Sequence, residues 1–293
     1  MVLFFVGSQL TYNARKPRVQ VPEELTPKQE AWLFKIARRN LAKLRLTGVK
    51  SLTASMGWKS LRKQYGDVVF APMIGNVKYG ASVTEDVSEE LNCEEITLRK
   101  FIDSVRFKQS PKCNYLKWED GAEDMRPLDL AGGTIEATLS KALAKKGIRI
   151  PKSVHWSLWI GGKGSVTAQH RDYQTFNLLH IITGAKRIVL HHSQFPFPCT
   201  DQPKQNPSSC WTGVDVLSKP TPHAIEVVLR AGESMLIPTS CKGCIKSYWH
   251  SVENLEPTIA VGINEFGENS MMAELASDDE ADRFFLEGKD RFY

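Results

Sequence analysis

The sequence has no apolar run approaching the length of a membrane-spanning helix, no internal repeat and no low-complexity tract. Its opening, MVLFFVG, is apolar but short and has no charged segment ahead of it, which makes a poor secretory signal. Cysteine is sparse, six in 293 residues, so the chain is not a small disulfide scaffold. These absences lead us to expect an intracellular protein with reduced thiols and no membrane contact. A strong charge imbalance is also missing. The formal net charge is +5, too small by itself to define a nucleic-acid binder. What is present is ordinary globular composition, 42% hydrophobic and 24% charged, enough for a sizeable core.

The charge is unevenly spread. Residues 1–65 carry 13 Lys/Arg against 3 Asp/Glu, and residues 268–293 form an acidic tail. Within the basic part, Thr26, Pro27 and Gln29 fit the cap, first-turn and capping-box positions of a helix running to Arg45. Leu33, Ala37, Leu41 and Leu44 would line its apolar side, and Lys35, Arg39 and Lys43 a basic row, with Arg38 and Arg45 close by. Such a row is usually a solvated face; if it bordered a binding site it would suit a polyanion such as RNA. Further helices are expected in KSLRKQY, in EEITLRKFIDSVRF with Thr97 near its cap, and in TIEATLSKALAKKG.

From His155 the texture changes. Eight short segments follow, HWSLWIG, SVTAQH, TFNLLHIIT, AKRIVLHH, AIEVVLR, ESMLIP, SYWHSVEN and TIAVGINEF. Each is rich in β-branched or aromatic residues and bounded by turn formers. One long Pro-, Ser- and Gln-rich loop interrupts them. Helices first and strands second give an α+β class, and eight antiparallel strands suggest a jelly roll.

Within this half, His170 and Asp172 stand two apart in QHRD, so on a strand both side chains share one face. His250, in SYWHSVEN, could supply a third ligand. Two histidines and a carboxylate on one face, with the opposite face open, suit iron(II) oxygen chemistry. Each residue alone is more simply a satisfied surface or core group.

The order LWIGGKGSVTAQHRD, FNLLHIITGAKRIVL, GESMLIP, WHSVENL and IAVGINEF resembles the JmjC or cupin-like family of iron(II)- and 2-oxoglutarate-dependent oxygenases, of the small hydroxylase type. The resemblance implies a double-stranded β-helix, a cupin-type jelly roll, with its core at about residues 155–267 of a catalytic domain at 66–267. A basic helical region (1–65) would precede it. It implies iron(II) held by His170, Asp172 and His250. It also implies 2-oxoglutarate held by Lys186 and Thr167 at the distal carboxylate, with Asn177 and Asn264 near the co-substrate or a metal-bound water. The implied reaction is hydroxylation of a protein side chain; demethylation, an RNA substrate and a non-catalytic binding module are the alternatives. Two departures from the family pattern stand out: the insertion TSCKGCIKSY before His250, and one extra residue between Asp172 and Asn177, which puts Tyr173, Gln174 and Thr175 at the mouth. Cys241 and Cys244 of the insertion, with Cys199 and Cys210, could make a four-cysteine zinc site, though unligated thiols are the simpler reading.

Overall fold

The computed structural model describes residues 26–28, 31, 35, 42–46, 49–70, 93–107, 113–119, 126–148, 150, 154–172, 176–192, 195–197, 209–212, 214–219, 221, 223–237 and 248–265. The long-loop and insertion cysteines Cys199, Cys241 and Cys244 lie outside them, as do Tyr173, Gln174, Thr175 and the acidic tail.

All eight segments expected after His155 are strands: β5 (Val154–Gly161), β6 (Val166–Asp172), β7 (Phe176–Thr183), β8 (Ala185–His191), β10 (Ile225–Arg230), β11 (Glu233–Leu236), β12 (Trp249–Asn254) and β13 (Thr258–Glu265). They pass back and forth between two antiparallel sheets, with only the successive strands β8 and β10 side by side in one sheet. With β1 (Ala42–Arg45), β4 (Tyr115–Glu119) and β9 (Ser209–Trp211) added, one runs β1-β11-β7-β13-β5-β4 and the other β10-β8-β12-β6-β9, which is the wrapping of a jelly roll. The period-2 pattern that drives this is plain in β10, where Ile225, Val227 and Leu229 are buried while Glu226 and Arg230 are exposed. The β7–β8 reversal turns on Gly184, whose φ of +85° favours glycine.

Three strands were not anticipated. β1 (Ala42–Arg45) pairs with the edge strand β11, Leu44 opposite Ser234. β4 (Tyr115–Glu119) extends the same sheet beside β5. β9 (Ser209–Trp211), out of the long loop, pairs with the His170–Asp172 end of β6. A two-stranded pair, β2 (Val69–Phe70) with β3 (Ile96–Thr97), stands apart.

β1 corrects the helix expected to reach Arg45. Residues 27, 28, 31 and 35 are helical, but 42–45 are extended. The spacing of Leu41 and Leu44 suits a helix face, yet the open edge of β11 offers backbone hydrogen bonds that a strand can take. The basic row is broken with it: Lys43 lies on β1, where its ammonium meets Glu233 at 2.9 Å and donates to the Val228 carbonyl at 2.8 Å. Arg39 is outside the described residues.

α1 (Lys50–Met56) was not anticipated, and the other expected helices form as α2 (Trp58–Gln64), α3 (Leu98–Phe107) and α4 (Arg126–Ala144). Thr97 does cap α3, its hydroxyl accepting from the Lys100 amide at 3.4 Å. Leu52, Leu61, Phe101, Ile102 and Leu139 join Leu158, Ile160, Leu178 and Ile182 in one core, so the helices cover the outer face of the larger sheet. A second core, with Leu179, Ile181, Ile188, Leu190 and Met235, fills the interior between the sheets. Among the described residues no helix is long and apolar enough to cross a membrane. Cys93 and Cys113 form a disulfide across 20 residues, which departs from the reduced thiols expected for this pair.

Candidate metal centre and the pocket beside it

β6 and β12 are neighbours in the smaller sheet, with His170 directly opposite His250. Asp172, two residues on from His170, returns to the same face. Arg171 between them points to the other side, where its guanidinium lies 4.7 Å from the Trp249 ring centroid. The two imidazoles lie 4.1 Å apart between centroids. Asp172 is 3.8 Å from His170 Nε2 through one oxygen and 3.5 Å from His250 Nε2 through the other. These gaps exceed a good hydrogen bond but suit ligands of one ion held about 2.0–2.2 Å from each.

The donor set is prepared for a cation. His170 Nδ1 lies 2.8 Å from the Ala168 carbonyl and His250 Nδ1 2.9 Å from the Tyr248 carbonyl. A carbonyl only accepts, so each Nδ1 carries the proton and each Nε2 turns a lone pair inward. Burial, then the neighbouring His250, pushes the His170 pKa down to about 4 against the opposing pull of Asp172. The ring is thus neutral near neutrality, as a ligand must be. Asn177 donates its amide to Asp172 Oδ2 at 3.0 Å, fixing the carboxylate. Asn177 is therefore placed at the outer side of Asp172. Asn264 stands opposite it on β13, and its buried Oδ1 finds no partner among the described residues.

Deeper in the barrel lies Lys186, 2% exposed. Its hydrogen bond is a long one, 3.5 Å to the Tyr115 hydroxyl, and its ammonium sits 5.4 Å from the Tyr115 ring centroid. Burial pushes its pKa down to about 7. The same hydroxyl meets Thr167 Oγ1 at 3.2 Å. Burial also raises the Tyr115 pKa well above the usual phenol range, keeping it a neutral donor. The structure therefore brings Lys186 and Thr167 together around one tyrosine.

Thr167 and His170 are three apart and would face opposite ways on a regular strand. The β6–β12 register shifts between His250 and Val252, since Val252 pairs with Thr167 while His250 pairs with His170. That irregularity places an additional residue on β6 and lets both side chains turn inward.

A family model described as a cupin-like domain matches residues 46–264. The chain belongs to the cupin-like domain family. No curated protein matches the sequence. Among solved structures, a conserved protein of unknown function from Streptococcus pyogenes is 11% identical, with 42% of this cupin-like chain and 72% of that one covered, at a TM-score of 0.25. Bacillus subtilis oxalate decarboxylase, described with Mn(II) centres, is 17% identical over 41% of this chain and 23% of its own, also at 0.25. The Lactobacillus farciminis oxalate decarboxylase formate complex is 12% identical over 39% and 24%, at 0.23. The match thus spans about a quarter of each decarboxylase. At these scores the likenesses carry no argument about chemistry.

In this cupin-like domain, then, His170, Asp172 and His250 form a group that could hold a metal ion. Tyr115 escaped the sequence reading, although NYLKWE alternates visibly: Tyr115 and Lys117 share one face, while Leu116 and Trp118 join the helix-side core. Trp159 was missed too; its ring packs on Tyr115 at 5.4 Å and lies under the Lys117 ammonium at 5.1 Å. The zinc alternative lies outside the described side chains.

Proposed function

We propose that the protein is an iron(II)- and 2-oxoglutarate-dependent oxygenase that hydroxylates a protein side chain. One observation carries the reading: a buried ammonium, Lys186, sits with Tyr115 and Thr167 on the interior surface that also bears the His170–Asp172–His250 group. A buried cation without a full set of acceptors is costly, and a carboxylate is the natural group to supply them. A metal group plus a carboxylate receptor in one interior suits a co-substrate that chelates at one end and carries an acid at the other.

With both bound, the iron and 2-oxoglutarate would supply the oxidising chemistry that turns O2 and a C–H bond into C–OH, with release of succinate and CO2. The chain's own part is to hold and exclude. His170 and His250 present Nε2 lone pairs because their Nδ1 protons are committed to their own strands. Asn177 steadies the carboxylate of Asp172. Lys186, Tyr115 and Thr167 would take the distal carboxylate, orienting the oxoacid. The apolar residues of the barrel interior keep bulk water from the reacting end.

A protein side chain is preferred to RNA because Lys43 is occupied with Glu233 and stands on a strand, so the continuous helical row that argued for a polyanion does not form. The test is succinate release from 2-oxoglutarate by iron-loaded protein, with a +16 Da product sought by mass spectrometry in a protein extract. Wild type should release succinate and the Asp172→Ala variant should not. Equal release by both would end the proposal.

A further inference from the structure

Asn254 closes β12 and is 1% exposed. Its backbone is fully engaged, the N–H donating to the Ser165 carbonyl at 2.9 Å and the carbonyl accepting from the Gly164 amide at 2.7 Å. Its side chain is not: both Nδ2 and Oδ1 are buried, and neither has a hydrogen-bond partner among the described residues. An amide so placed forfeits up to four hydrogen bonds in a low-dielectric interior, where the cost is greatest.

The register explains where it points. Asn254 pairs with Lys186 across β12 and β8, and antiparallel partners share a face. Two residues before Asn254 and two after Lys186, the paired Val252 and Ile188 belong to the interior core, so Asn254 and Lys186 both look inward. Gly161 of β5 packs against the pair of side chains that meet there. A Cβ added at Gly161 would collide with Asn254 Nδ2 and come within 2.6 Å of Tyr115 Cδ2. Asn254, Lys186 and Tyr115 therefore crowd one corner of the interior, with a glycine making the room.

We propose that Asn254 is a specificity-determining residue for the oxoacid tail. Its Nδ2 donates to the distal carboxylate beside Lys186, and its position sets how long that tail can be. The inference rests on the functional reading above and extends it to a residue and a selectivity. A carboxylate offers about four acceptor sites, more than the long Lys186–Tyr115 arrangement fills, and the Asn254 amide brings two unused N–H groups to the same corner.

The experiment is calorimetric titration of 2-oxoglutarate into Mn(II)-loaded protein, repeated with the one-carbon-shorter and one-carbon-longer 2-oxo diacids. Asn254→Ala should weaken 2-oxoglutarate by about tenfold or more, the usual worth of a hydrogen bond to a charged group. Asn254→Asp, which sets a carboxylate beside a carboxylate, should weaken it further. Mn(II) affinity should be unchanged in both, and the preference for the five-carbon diacid should shrink. Removing an unpaired buried amide should not lower the melting temperature of the ligand-free protein; Asn254→Ser is a second variant, used if alanine nevertheless disturbs folding. Variants that bind 2-oxoglutarate within twofold of wild type, or that lose Mn(II) in parallel, would overturn the inference and leave the functional reading intact. If Mn(II)-loaded wild type does not bind 2-oxoglutarate at all, the functional reading fails and this inference with it.

Discussion

Toward the helices, His180 of β7 is 1% exposed and meets Ser234 Oγ through Nδ1 at 2.8 Å. Toward the barrel interior, Lys186 is buried to a similar degree with one long hydrogen bond, and the side chain of Asn254 beside it has no hydrogen-bond partner among the described residues. The same sheets thus enclose two buried polar environments. One is closed, a polar pair matched within the chain and serving the fold. In the other, the donors of Lys186 and Asn254 are left under-filled by the described residues. Burial alone does not separate the two environments; the state of their partners does.

The largest expected effect tests whether that division is real. His170→Ala, Asp172→Ala or His250→Ala should abolish stoichiometric Mn(II) or iron(II) binding, read by metal analysis after desalting. His180→Ala should keep the metal while lowering the melting temperature, because it leaves Ser234 unpaired and a void in a packed layer. Metal loss from the His180 variant would erase the distinction.

Lys186→Met comes next. It should weaken 2-oxoglutarate by about 2–4 kcal/mol, the cost of removing one partner of a desolvated charge pair, and still raise the melting temperature of the ligand-free protein. The sign follows from linkage. Folding lowers the Lys186 pKa from 10.5 to about 7, so between those values the unfolded chain binds more protons and stability rises with pH. Wild type should gain stability across that window and the methionine variant should gain less. Co-substrate affinity should run the other way, falling as pH passes about 7 and the free ammonium loses its proton. Calorimetry at three pH values checks it; a flat profile would mean that Lys186 is not the carboxylate's cation.

Asn177→Ala should weaken metal binding by about 10-fold, the lower range for an outer partner of a ligand, with little effect on 2-oxoglutarate once metal is saturating. The smallest effect belongs to Lys43. Its ion pair with Glu233 is 41% and 17% exposed, and Lys43→Ala should cost about 1 kcal/mol or less in a denaturant titration. A loss comparable to that of a buried group would mean that β1 matters more to the larger sheet than its length suggests.

Much of this arrangement was legible in the order of residues. The eight strands after His155 announce themselves because each buries a face that needs β-branched or aromatic side chains at period 2. His170 and Asp172 are legible for the same reason, since a spacing of two fixes a shared face. Three kinds of feature were not. β1 hides because the spacing of Leu41 and Leu44 suits a helix, and only the open edge of β11 decides for a strand. β9 hides in a Pro- and Ser-rich loop whose composition argues against a strand. The buried polar cluster is half hidden: Lys186 and Thr167 are reached through the family resemblance, whereas Tyr115 and Asn254 are not, because the four come from four strands and the inward turn of Thr167 depends on a register irregularity. Tyr115 was within reach of a closer look at NYLKWE, whereas the empty valences of Asn254 emerge only once Lys186 is set beside it.

His170 and His250 pair across adjacent strands but are separated in sequence by the whole of β7 to β11. The metal group therefore does not exist until one of the most non-local pairings in the chain has closed, and closure of long loops is the slow part of assembling β architectures. A cation captured there would act as a latch on a late event: it would do little to speed folding and much to slow unfolding. Metal-loaded and metal-free protein should then differ chiefly in lifetime under denaturant, with refolding rates nearly alike.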